Sequence, residues 1–146
     1  MAIDHEDRIL LVRQFRLAAG RILREIPAGG LDVAADGTTE EPEHAARREL
    51  EEETGLRAGT WRHLGSFFSA PGFTEELMHL YLATDLRPAA EDGRLGPDED
   101  ERLLVERVPW RDALADAERG EIVDGKSLVG LFWLARLRGE PTAGTA

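Results

Sequence analysis

The segment EEPEHAARRELEEETGL, residues 40–56, constrains this chain more than any other stretch of its 146 residues. Pro42 can sit in a first helical turn, where its missing N–H costs nothing. Ala45, Ala46, Leu50 and the glutamates favour helix, and Gly55 is placed to end it in a left-handed conformation. The spacing therefore predicts a helix over residues 42–54. At ~100° per residue, Glu49, Glu52 and Glu53 fall within one arc of roughly 100°. Ala46 and Leu50 lie beside that arc and are expected to face a core, with Arg47 and Glu51 pointing away.

Three carboxylates on one stripe repel each other, and like charges four residues apart weaken a helix. Arg48, at the edge of the stripe, can compensate part of that charge because its fork holds a carboxylate in a fixed orientation. A divalent cation can compensate the rest. The plainer alternative is a solvated acidic helix, and the formal net charge of −11 is compatible with it.

Around this helix the pattern alternates. RILLVRQF (residues 8–15) and RILREI (21–26) read as strands, as do residues 61–70, 77–84 and 103–108. Residues 31–39 and the acidic stretch 89–100 read as loops. A helix is expected over residues 110–119, between Pro109 and Gly120, and another over 128–137, with Ser127 as its N-cap and Gly139 past its end. Strands interleaved with helices predict a single mixed α/β domain over residues 1–146, with a sheet between helical layers. Asp4-His5-Glu6-Asp7 resembles a hairpin turn, yet only residues 1–3 remain for the strand before it, so the N-terminal strand region reads as shortened.

Composition excludes several classes. There is no cysteine, which removes disulfides and thiol chemistry. No run of 18 apolar residues is present to span a membrane, and the acidic start lacks the regions of a signal peptide, so a cytoplasmic protein is expected. The acidic balance argues against a partner with a nucleic-acid backbone, which needs clustered Lys and Arg. It leaves room for a small phosphate-bearing substrate reached through cations.

The order of residues in the predicted helix resembles the Nudix signature, G-x5-E-x7-R-E-U-x-E-E-x-G-U, where U is a bulky aliphatic. Glu40, Arg48, Glu49, Leu50, Glu52, Glu53, Gly55 and Leu56 all match at the right spacing. The glycine of the signature would fall at Ala34, and the best candidate is Gly29, eleven positions before Glu40. The loop therefore carries an insertion of five residues around positions 33–37, of a kind that surface loops accept at modest entropic cost.

The resemblance implies an α/β/α sandwich with a mixed sheet. It implies that Glu49 and Glu53 are metal ligands, that Glu52 is a further ligand or orienting group, and that the Ala28 carbonyl completes a site for Mg²⁺ or Mn²⁺. Val12-Arg13-Gln14-Phe15-Arg16, Glu25-Ile26-Pro27-Ala28-Gly29 and Ser69-Ala70-Pro71-Gly72-Phe73-Thr74-Glu75-Glu76 resemble the ADP-ribose pyrophosphatase branch. By the same resemblance Glu101, or its competitor Glu99, is the general base, with Arg48 and Glu52 beside it in the catalytic set. Arg13, Arg16, Pro71, Phe73 and Glu75, or Glu76 in its place, are candidates for the substrate. The expected reaction is hydrolysis of ADP-ribose to AMP and ribose 5-phosphate. The alternatives are another nucleoside diphosphate sugar or a dinucleotide, or a ligand-sensing domain without catalysis. A homodimer is expected, because the strand beginning near Arg8 would otherwise expose a bare edge. His5, His44, His63 and His79 are expected to be incidental, and Trp61, Trp110 and Trp133 to pack.

Overall fold

The computed structural model describes residues 1–89 and 103–139. Its elements run β1 (Arg8–Arg16), a short 3-10 turn, β2 (Arg21–Glu25), α1 (Pro42–Thr54), β3 (Leu56–Phe68), β4 (Leu77–Pro88), β5 (Leu104–Pro109), α2 (Trp110–Glu118) and α3 (Gly125–Leu137). β2, β1 and β5 form one antiparallel sheet, and β3 and β4 form a second.

Residues 1–3 join the two. Ala2 bridges Ala83 of β4 in parallel, and Ile3 bridges Ile9 of β1 antiparallel. The Ile3 N–H donates to the Ala83 carbonyl at 3.0 Å, and the Leu10 N–H donates to the Ala2 carbonyl at 2.9 Å. A three-residue strand is enough because both of its edges are used. The turn before β1 is held by Asp4, whose Oδ1 accepts the Glu6 and Arg8 amides at 2.9 and 3.0 Å and whose Oδ2 accepts Arg8 Nε at 2.9 Å. Burial alone would raise the Asp4 carboxyl, but the hydrogen bonds from Arg8 and Glu6 outweigh it and hold it below the usual carboxylate range.

β1 is covered on both faces, which its apolar run requires. Ile9 and Leu11 pack with Trp110 and Ala113 of α2 and Leu131 and Leu134 of α3. Leu10 points the other way, against Leu50 of α1, Leu56 and Ala83. Each such fully buried aliphatic side chain contributes about 1.5–3 kcal/mol. The outcome is the expected α/β class, with α1 on one side of β1 and α2 and α3 on the other, but the strands form two antiparallel sheets rather than one mixed sheet.

Four local expectations are corrected. β3 begins at Leu56, directly after Gly55, rather than at Trp61. The cap of α3 is Asp124, whose side chain accepts the Ser127 amide. The inserted loop is a small hairpin: Val33 bridges Thr39, Ala34 and Thr38 are hydrogen-bonded at 2.9 Å, and the Glu40 N–H closes its base on the Asp32 carbonyl at 2.8 Å. The start of β1 near Arg8 is not a bare edge, since β5 pairs along residues 8–13 on one side, while on the other Ile3 bridges Ile9 and β2 pairs along 12–16. The sheet itself therefore does not demand a second subunit.

Candidate active site

α1 runs over the predicted residues, and Gly55 ends it at φ 68°, its N–H donating to the Glu51 carbonyl at 2.7 Å. Arg48 is the hub of its acidic stripe. Nη1 donates to Glu49 Oε1 and Glu52 Oε2, both at 2.8 Å, and Nη2 donates to Glu40 Oε2 and the Gly30 carbonyl, both at 3.0 Å. Glu40 sets its geometry a second time, since Oε2 also accepts the Asp32 amide at 3.3 Å. The hydrogen bond from Arg48 lowers the Glu40 carboxyl against the opposing effect of desolvation. The same bond, opposed by burial and reinforced by Glu49 and Glu52, raises the Arg48 guanidinium, which is therefore a permanent cation.

Glu53 is buried, and its Oε2 accepts the Ala28 N–H at 3.1 Å. The Glu49 carboxylate lies so close over Gly29 that a Cβ there would overlap it. Gly29 is thus needed for close approach, which accounts for a glycine at the place the shifted signature assigns to it. Loop 28–30 and the stripe are in contact at three points: Glu53 on Ala28, Glu49 on Gly29, and Arg48 on Gly30.

Beside this contact lies a cavity of about 210 Å³, lined by loop 26–31, by Ala45, Ala46 and Glu49 of α1, by Trp61, by residues 76–81 and by Lys126. Its donors at the stripe are all oxygens, the set that hard divalent ions take. Among the described residues no three His, Asp or Glu side chains already form a metal cage. Arg48 holds Glu49 and Glu52, and the Ala28 amide holds Glu53, so the donors fit such an ion by chemistry and would have to leave these partners and converge to bind it.

The remaining expected site residues are distributed differently. Arg16 forms a two-pronged pair with Glu25 at 2.8 and 2.8 Å, while Arg13 lies 3.6 Å from Glu106. Three residues apart on a strand, they face opposite sides of the sheet. Pro71, Phe73 and Glu75 form a shallow surface depression of their own, with Phe73 92% exposed, and Glu76 rather than Glu75 lines the cavity. Glu99 and Glu101 lie outside the described residues. Glu51 does not point away: it is buried and bound by Arg57 at 2.6 and 2.8 Å.

Sequence reasoning missed Lys126, His79 and Tyr81 in the cavity wall and assigned Trp61 to packing. Trp61 meets Tyr81 edge-on at 6.4 Å, under the Arg47 guanidinium at 5.0 Å. His63 and His79 meet through Ser66, at 3.3 and 2.9 Å from its Oγ. Nothing in linear spacing signals these, because cross-strand register brings them together.

The sequence profile of the NUDIX domain matches residues 1–128. An ADP-ribose pyrophosphatase of Bacillus subtilis is 40% identical over 134 residues, which are 92% of this chain and 69% of that protein. An ADP-ribose pyrophosphatase of Mycobacterium tuberculosis is 41% identical over 133 residues, 90% of this chain and 61% of that one. A crystal structure of an ADP compounds hydrolase superposes with a TM-score of 0.77 at 25% identity, covering 95% of this chain and 71% of that one. With its glutamate stripe, Arg48 hub and glycine loop in place, the chain belongs to the NUDIX domain family.

Proposed function

We propose that this chain hydrolyses the diphosphate bond of ADP-ribose to AMP and ribose 5-phosphate, as a Nudix hydrolase. The observation that carries the reading is the gathering of Glu49, Glu52 and Glu53 by Arg48 and loop 28–30, with Glu49 lining a cavity beside them. The names of the Bacillus subtilis and Mycobacterium tuberculosis relatives support the substrate.

In this reading Glu49, Glu53 and the Ala28 carbonyl hold Mg²⁺ or Mn²⁺, with Glu52 as a further ligand or orienting group. A bound divalent ion neutralises the diphosphate, polarises its P–O bonds and sharpens a water nucleophile. Glu101, or Glu99 two residues earlier, takes the proton of the attacking water. Water adds to one phosphorus in line, and the bond to the bridging oxygen breaks. Arg48 compensates part of the charge of the stripe, and the ion compensates the rest. Arg16, Arg13, Pro71, Phe73 and Glu75 are assigned to the substrate from their resemblance to the branch. Exposed Phe15, Ile22 and Leu104, on one face of the first sheet, support a homodimer.

Product analysis across ADP-ribose and other nucleoside diphosphate sugars, with Mg²⁺ and with chelator, tests the substrate. The proposal expects AMP from ADP-ribose at the highest kcat/KM and none with chelator. Equal rates on every sugar nucleotide would remove the ADP-ribose assignment.

A further inference from the structure

Ser127 lies outside the cavity lining and is fully buried. Its hydroxyl donates to Asp124 Oδ2 at 2.6 Å and accepts the Ile26 N–H at 2.8 Å. The direction of both bonds is fixed: an ionised carboxylate only accepts, and an amide N–H only donates. Asp124 Oδ2 also accepts the Ser127 amide at 3.0 Å, which caps α3.

A second arm reaches the preceding residue. Asp124 Oδ1 accepts Lys126 Nζ at 3.1 Å, and Lys126 also bonds the Glu25 carboxylate, which Arg16 holds from the other side. Glu25 by its side chain and Ile26 by its backbone are therefore tied to one helix cap, 101 residues away in the sequence. The Ile26 side chain is held too, buried in the core cluster with Leu131 and Leu134 of α3. Pro27 follows with its fixed φ. Ala28 comes next, its N–H on Glu53 at 3.1 Å.

We propose that Ser127, backed by Asp124, is a positioning residue for the loop that presents Ala28 to the metal, an inference that rests on the function proposed above. A hydroxyl between a helix cap and the amide two residues before Ala28 sets where that carbonyl sits relative to Glu53. Groups that orient metal ligands from behind change metal affinity by about 10–100-fold when removed.

The test compares Ser127→Ala with Ala135→Gly, which weakens the same helix at a buried position without touching the loop. Mn²⁺ affinity is read by electron paramagnetic resonance, and amide exchange within residues 26–29, at Ile26, Ala28 and Gly29, by NMR without metal. Ser127→Ala is expected to weaken Mn²⁺ about tenfold and to speed exchange in residues 26–29 selectively. Ala135→Gly is expected to lower the melting temperature while leaving both unchanged. Equal metal affinity in Ser127→Ala and the parent, or equal loss in the two variants, overturns the positioning role. A parent that binds no Mn²⁺ overturns the metal reading instead. The exchange arm then decides the clamp alone: acceleration confined to residues 26–29 upholds it, and uniform acceleration overturns it.

Discussion

Arg48 Nη2 meets Glu40 Oε2 at 3.0 Å although the loop before Glu40 is longer than the family signature allows. The contact survives because the inserted residues fold back on themselves and return Glu40 to Asp32, where the two backbones bond at 2.8 Å. Removing the guanidinium leaves Glu40, Glu49 and Glu52 facing one another. Arg48→Gln is expected to cost about 1–3 kcal/mol without metal, as for a charged hydrogen-bonded group lost from a partly buried site. The deficit should shrink when Mn²⁺ is added, because the variant's uncompensated stripe binds the cation more tightly than the parent's and so gains more by mass action. Thermal melts with and without Mn²⁺ read both effects, and a deficit unchanged by the ion would contradict the idea that Arg48 and the ion share the stripe.

Glu51 separates stability from chemistry on the same helix. Its carboxylate is buried and carries the two-pronged contact with Arg57. Glu51→Gln is expected to lower stability by about 1–3 kcal/mol while kcat stays near that of the parent. Glu53→Gln should do the reverse, losing activity and metal binding at little cost in melting temperature.

The helix and its stripe were legible because α-helical periodicity alone sets which glutamates share a face. The contact of Arg48 with Glu49 and Glu52 followed from the same geometry. Glu51 was misplaced because its partner, Arg57, lies in the first residues of β3, a strand whose start the sequence reading put at Trp61. The cavity wall was illegible for a related reason. His63 faces Tyr81 and Ser66 faces His79 only once β3 and β4 pair with a shift between His63 and Gly65. Lys126 and Glu25 meet across 101 residues, and no local pattern encodes such a pair.

Asp4 gives a pH dependence of defined sign. Its carboxyl is held below its ordinary value in the folded chain. Its contribution is therefore fully present above the unfolded value of about 3.9 and is lost as pH falls through the lower folded value. Asp4→Asn should be less stable than the parent at neutral pH, and the two should converge as pH falls below that range. Denaturant melts at a series of pH values check this. A gap that persists undiminished at the acid end would show that the charge of Asp4 does not matter.

The homodimer is testable through its apolar face. Phe15 and Ile22 are cross-strand partners, 58% and 55% exposed. If a second copy covers them, Phe15→Lys with Ile22→Lys should give a monomer by light scattering where the parent gives a dimer. A parent that is already monomeric would remove the dimer.

The most direct test of the account follows AMP release from ADP-ribose with Mg²⁺, in the parent and in Glu53→Gln. AMP and ribose 5-phosphate are expected in equal amounts from the parent. Chelator is expected to abolish release, and Glu53→Gln to reduce it to background with the fold intact by circular dichroism. Release that continues in Glu53→Gln, or that ignores the chelator, would contradict the claim that the gathered carboxylate stripe is the catalytic metal site.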